Sequence, residues 1–245
     1  MSINRDAIYH PKNKILWYLL CFQGGFVNVG GFLEVGHFVS HVTGFSGHLV
    51  VEAREGSFIS ALFFALIPIA FLLGAFLSGY LTEVRRKKQQ TPVYIHIMSS
   101  MAIIYFSLAL IGANNLLPKF GSEVLSFKSA VILAILCAAS GAQNALFTSA
   151  SGAIVRTTHL TGLFTDFGIG LAKLFGQVDQ EHEKRSTRLR FGLIFFFIFG
   201  SFISAWSFTH FYFLGWLIPA AISFYIAFKL YSTRKHLDAI FQDHA

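Results

Sequence analysis

Six apolar stretches, each close to the length of a bilayer-crossing helix, constrain this chain more than any other feature. They run approximately 15–35, 58–82, 93–116, 127–149, 191–209 and 211–231. A spanning helix needs about 20 consecutive apolar residues, and each stretch is near that length. Composition points the same way. Charged residues are 13% of the chain and hydrophobic residues 54%, whereas a soluble domain carries about 25% charged residues. So few charges cannot coat a water-exposed globule of this size, but they suffice when most of the surface faces lipid. The last two stretches nearly touch, which requires a tight hairpin near His210.

The formal net charge of +7 does not read as a nucleic-acid footprint, because Lys and Arg fall between the apolar stretches. That is the pattern of membrane orientation. Arg85-Arg86-Lys87-Lys88, the group Lys184, Arg185, Arg188 and Arg190, the tail with Lys229, Arg234 and Lys235, and the N-terminal Arg5, Lys12 and Lys14 all fall on one side if six stretches cross. The other side keeps Arg54, Lys119 and Lys128. Eight full crossings would move Arg85–Lys88 outside. The six-crossing reading has both termini in the cytoplasm and residues 14–117 and 127–231 as two membrane units. A loop at 118–126 joins them, and tails at 1–13 and 232–245 flank them. Without a small-x-small cleavage site after Lys12 and Lys14, the first stretch reads as an uncleaved span. Cys21 and Cys137 lie inside apolar stretches and read as small packing residues.

Two further segments are shorter and studded with polar groups. Residues 37–52 hold Ser40, His41, Thr43, Ser46 and His48, and residues 158–172 hold Thr158, His159, Thr161, Thr165 and Asp166. They read as re-entrant half-helices, over 45–53 and 163–171, with Thr43 and Thr161 as caps.

The two halves match in order. Cys21, Gly25 and Asn28 recur as Cys137, Gly141 and Asn144. His41-Val42-Thr43-Gly44 recurs as His159-Leu160-Thr161-Gly162, and Gly74 and Ser78 recur as Gly200 and Ser204. Three crossings per half turn the second copy upside down. The expected fold is therefore all-α and transmembrane, with six spanning helices plus two re-entrant half-helices in an inverted 3+3 repeat, an arrangement common among transporters.

Asn28, His41-Val42-Thr43-Gly44, Gly141-Ala142-Gln143-Asn144, Arg156-Thr157-Thr158-His159-Leu160-Thr161-Gly162 and Thr165-Asp166 occur together. In these residues the chain resembles the YoaK-like family of bacterial multi-pass membrane proteins, a domain of unknown function, over about residues 14–234. The resemblance implies a bacterial inner-membrane protein and supplies no substrate or catalytic residue.

Intramembrane ionisable groups are costly and are usually functional or paired. The path residues expected here are Asn28, His41, Thr43, Gly44, His48, Gln143, Asn144, His159, Thr161, Gly162 and Asp166. The plainer reading of the histidines is interhelical hydrogen bonding. Gly24, Gly25, Gly30, Gly31, Gly74 and Gly79 read as close-packing sites, and Glu34 as interfacial. The chain holds no His-Glu-x-x-His, Cys-x-x-Cys, Gly-x-Ser-x-Gly or P-loop element, so no metal, cofactor or ATP-driven step is expected. The function expected is a transporter or channel for a small solute. Facing half-helix N-termini would favour an anion, and Asp166 or a histidine would couple transport to protons. The alternatives are an intramembrane enzyme using His and Asp, or a scaffold or sensor. The partners expected are the bilayer and a small solute, with no nucleic acid; a homo-oligomer is left open.

Overall fold

The computed structural model describes residues 8–56, 58–90, 93–118, 120–121, 126–155 and 157–232. The sequence-based placements of Arg5, Lys119, Arg156, Arg234 and Lys235 lie outside them. All regular structure among the described residues is helical. The helices are α1 (Pro11–Val35), α2 (Val42–Arg54), α3 (Phe58–Gly79), α4 (Tyr94–Ala113), α5 (Phe127–Ala150), α6 (Leu160–Phe175), α7 (Gln180–Phe211) and α8 (Leu217–Ser232). A π turn at Tyr80–Val84 continues α3 toward Lys87, and a 3-10 turn at Tyr212–Trp216 joins α7 to α8. Among the described residues, five helical segments are long and apolar enough to cross a membrane, the last being the run Gln180–Ser232. Within that run Tyr212 has φ 47°, and it stands where the apolar pattern demands a hairpin near His210.

Contacts fix the directions. Tyr18 stacks on Phe196 at 5.0 Å, Ser204 Oγ donates to the Phe26 carbonyl at 2.7 Å, and Gly30 meets Phe208, so α1 and α7 run parallel. Gly141 meets Phe71 and Ser149 hydrogen-bonds Glu83, so α3 and α5 run parallel as well. Trp17 packs on Phe147, whereas Gln143 Nε2 reaches back to the Leu20 carbonyl, so α1 and α5 are antiparallel. Trp216 bonds Glu34 and Ser223 bonds Gln23, which sets α8 antiparallel to α1.

The same packing device appears twice. A methyl on Gly25 would collide with the Phe197 carbonyl, and one on Gly200 with the Phe22 carbonyl. At the matching positions, a methyl on Gly141 would collide with the Phe71 carbonyl, and one on Gly74 with the Ala138 carbonyl. Each pair is a close backbone approach of the small-residue type that holds membrane helices together where no hydrophobic driving force exists. Each also joins the first helix of one half to the third helix of the other. Gly24, Gly30 and Gly31 are equally tight, but Gly79 has open space where a side chain would project and is no packing site.

The half-helices are longer than the sequence suggests. α2 has 13 residues and α6 has 16, about 20 and 24 Å at 1.5 Å per residue, short of a hydrocarbon core about 30 Å thick. Their caps are also different. His41 and His159 are the N-cap residues, with closely similar backbones (φ −97°, ψ 66° and φ −111°, ψ 74°) and no side-chain cap hydrogen bond. Thr43 and Thr161 therefore stand one residue inside the first turn, because the helical backbone begins before the threonine is reached.

Candidate functional site

α1 ends at Val35, and the chain then turns back along it. Phe32 stacks on Phe38 at 4.5 Å, Gly31 lies against Val39, and Asn28 Oδ1 accepts both the Ser40 N–H at 3.1 Å and the Ser40 hydroxyl at 2.9 Å. The pairs step backward along α1 as the chain advances, so residues 36–41 re-enter the bundle and α2 starts level with Asn28. Asparagine suits this place, since one carbonyl oxygen satisfies two donors of an irregular segment that would otherwise be buried without partners.

The second half does the corresponding thing and arrives nearby. After α5, Ser151 Oγ donates to the Val155 carbonyl and accepts the Val155 N–H at 2.9 Å, folding the turn. The Thr157 carbonyl and the Thr158 methyl then pack against Gly24 of α1, which has no side chain to keep them off. Both segments leading into α2 and α6 thus rest on one turn of α1, the first at Asn28 and the second at Gly24. Each half-helix packs on the crossing helix that follows it, with His48 stacked on Phe64 at 5.0 Å and Phe167 packed on Phe191 at 6.0 Å.

Beneath the tips lies a buried polar core. Gln23 Nε2 donates to Gln143 Oε1 at 3.1 Å and to Ser223 Oγ at 2.9 Å, and Gln143 Nε2 donates to the Leu20 carbonyl at 3.0 Å. The Tyr105 hydroxyl is buried beside the Gln23 side chain in this core. Of the expected path residues, Gln143 therefore belongs to this core, while Asn28 holds a tip. The Asn144 side-chain carbonyl, equivalent to that of Asn28, is buried and unpartnered. His41, Thr43, His48, His159 and Thr161 are exposed, and Gly44, Gly162 and Asp166 half-buried. A methyl on Gly44 would crowd the His41 ring. A cavity of about 130 Å³ opens beside the first tip, lined by His37, His41 and His48 among Phe38 and Phe45. His48 and Asp166 stand nearly two turns into α2 and α6, further from the N-termini than the later start expected from sequence.

Ser223 and Tyr105 carried no signal in the sequence as polar-core residues. Gln23 and Glu34 did carry a signal, since each is a polar residue inside an apolar stretch. Glu34 is buried at the end of α1, where Trp216 and the Gly121 N–H meet it.

A family model described as "Protein of unknown function (DUF1275)" matches residues 16–228, consistent with the resemblance read from the motifs. No curated protein and no solved structure matches the chain.

Proposed function

We propose that this chain, which belongs to the DUF1275 family of proteins of unknown function, carries a small, anionic solute across the bacterial inner membrane along a path through the two re-entrant tips. The observation that carries this reading is the convergence of both tips on the Gly24–Asn28 turn of α1. Irregular backbone at membrane depth is tolerated where it is buried in protein or lines a wet cavity. The exposed faces of the tips hold His41, Thr43, His159 and Thr161, side chains poorly matched to lipid. The uncapped first turns of α2 and α6 offer N–H groups and positive dipole ends, which favour negative charge.

The reading has six crossings, with α7 and α8 as separate spans joined by the Tyr212–Trp216 turn, and an inverted 3+3 repeat. The reciprocal glycine pairs, the antiparallel first helices of the two halves and the matched His N-caps support both. That a fold of this type transports is an argument by analogy; the polar tips add a site-level reason.

A thermal-unfolding screen of purified protein against small carboxylates, oxyanions and cations tests it. A ligand at one hundred times its Kd adds about 2.7 kcal/mol to the folded state. The expected result is that anionic solutes raise the melting temperature and that Thr161→Trp, at an exposed position on the second tip, removes the shift. Stabilisation by cations alone, or an anion shift unchanged in Thr161→Trp, would overturn the reading.

A further inference from the structure

Glu34 is buried near the end of α1, at 4% exposure. Trp216 Nε1 donates to its Oε2 at 2.6 Å, while Oε1 is buried with no hydrogen-bond partner. Trp216 is itself clamped, stacked on Tyr105 of α4 at 5.7 Å and met edge-on by Phe208 of α7 at 5.0 Å. The 120–121 segment also meets the end of α1, with the Gly121 N–H on the Glu34 carbonyl at 3.3 Å. Among the described residues these elements place no cation in ion-pair distance of Glu34; Tyr105 is the titratable group that shares the packing.

A carboxylate with a single donor, enclosed by aromatic rings, is costly, and an apolar residue would spare the bundle that cost. The neutral acid fits the geometry better. Its carbonyl oxygen keeps the Trp216 hydrogen bond, and its proton sits on Oε1, where the charged form would lack any compensation.

We propose that Glu34 is a proton-binding site of this protein, taking up one proton from water at Oε1 and returning it to water. Uptake turns the carboxylate neutral and release restores its charge, on the same helix whose Gly24–Asn28 turn supports both re-entrant tips. Coupling of this proton to solute movement rests on the transport reading; the protonation itself does not.

Infrared difference spectroscopy on the purified protein at neutral pH tests the site directly. A protonated-carboxyl C=O band is expected in the parent protein, lost in Glu34→Gln and kept in Asp166→Asn. Trp216→Phe, which leaves the acid in place, should move the band to higher frequency by freeing its carbonyl. With Trp17 and Trp206 replaced by Phe, Trp216 emission should change with pH, and Glu34→Gln should abolish that change. A band that survives Glu34→Gln, one that vanishes in Asp166→Asn, or a Trp216 signal that follows potassium or sodium at fixed pH would overturn the proposal. Loss of the band in Glu34→Gln, together with no uptake of small carboxylates or oxyanions by the parent protein at any pH, would leave the proton site standing and refute the transport reading.

Discussion

Gly25→Ala and Gly141→Ala are each expected to lower the stability of the bundle by about 1–3 kcal/mol, and Gly25→Leu and Gly141→Leu to yield little folded protein. At both positions the added carbon meets a backbone carbonyl of the partner helix, Phe197 in one case and Phe71 in the other. A side chain can rotate away from an intruding methyl; a carbonyl in a helix cannot move unless the helix moves, so α1 must separate from α7, or α5 from α3. Gly47 and Gly168 provide the contrast, because nothing lies within 4 Å of a carbon added there. Alanine at those two should be neutral or stabilising by up to about 1 kcal/mol, the helix-propensity difference. Thermal unfolding in detergent, with size-exclusion yield for the leucine variants, reads all six. Equal effects at the tight and open positions would contradict the packing described.

The second large effect is expected at the polar core. Gln143→Leu removes the acceptor of Gln23 Nε2 and the donor to the Leu20 carbonyl. Leaving buried polar groups unmatched costs about 1–3 kcal/mol, although membrane hydrogen bonds average nearer 0.6 kcal/mol. Gln23→Leu should cost a similar amount, since Gln143 Oε1 and Ser223 then lose their donor. The double variant removes both partners together, so it should cost less than the two singles summed, by about 0.5–3 kcal/mol of coupling. Additive losses would mean that the two amides do not act as a pair.

The apolar stretches, the breaks between them and the two Thr-Gly motifs were legible because hydropathy and glycine act over a few neighbouring residues. The half-helices extend further at both ends than their polar composition suggested. Val42 and Leu160 join the first turn once a histidine backbone, rather than a threonine side chain, sets the start. Gly79 was misread, and the burial of Glu34 went unseen, for one reason. Whether a glycine meets another backbone, or a carboxyl meets water, depends on which helix lies opposite, and hydropathy along a single chain carries no such information. Gln23 and Gln143 lie on different spans, and only the antiparallel crossing of α1 and α5 makes them partners. Near neighbours part in the same way: Phe195 is exposed while Phe197 is buried against α1, as the 100° step between helical neighbours requires.

The central claim is that two polar tips enter from opposite faces and are wet. Thiol labelling with an impermeant reagent, in right-side-out and inside-out vesicles, tests it on single-cysteine proteins after the buried Cys21 and Cys137 are replaced by alanine. Thr43→Cys should react in right-side-out vesicles and Thr161→Cys in inside-out ones, with Lys87→Cys and Lys184→Cys reacting only in the inside-out preparation. Labelling of Lys87→Cys in right-side-out vesicles, or no labelling of Thr43→Cys and Thr161→Cys in either preparation, would contradict the account.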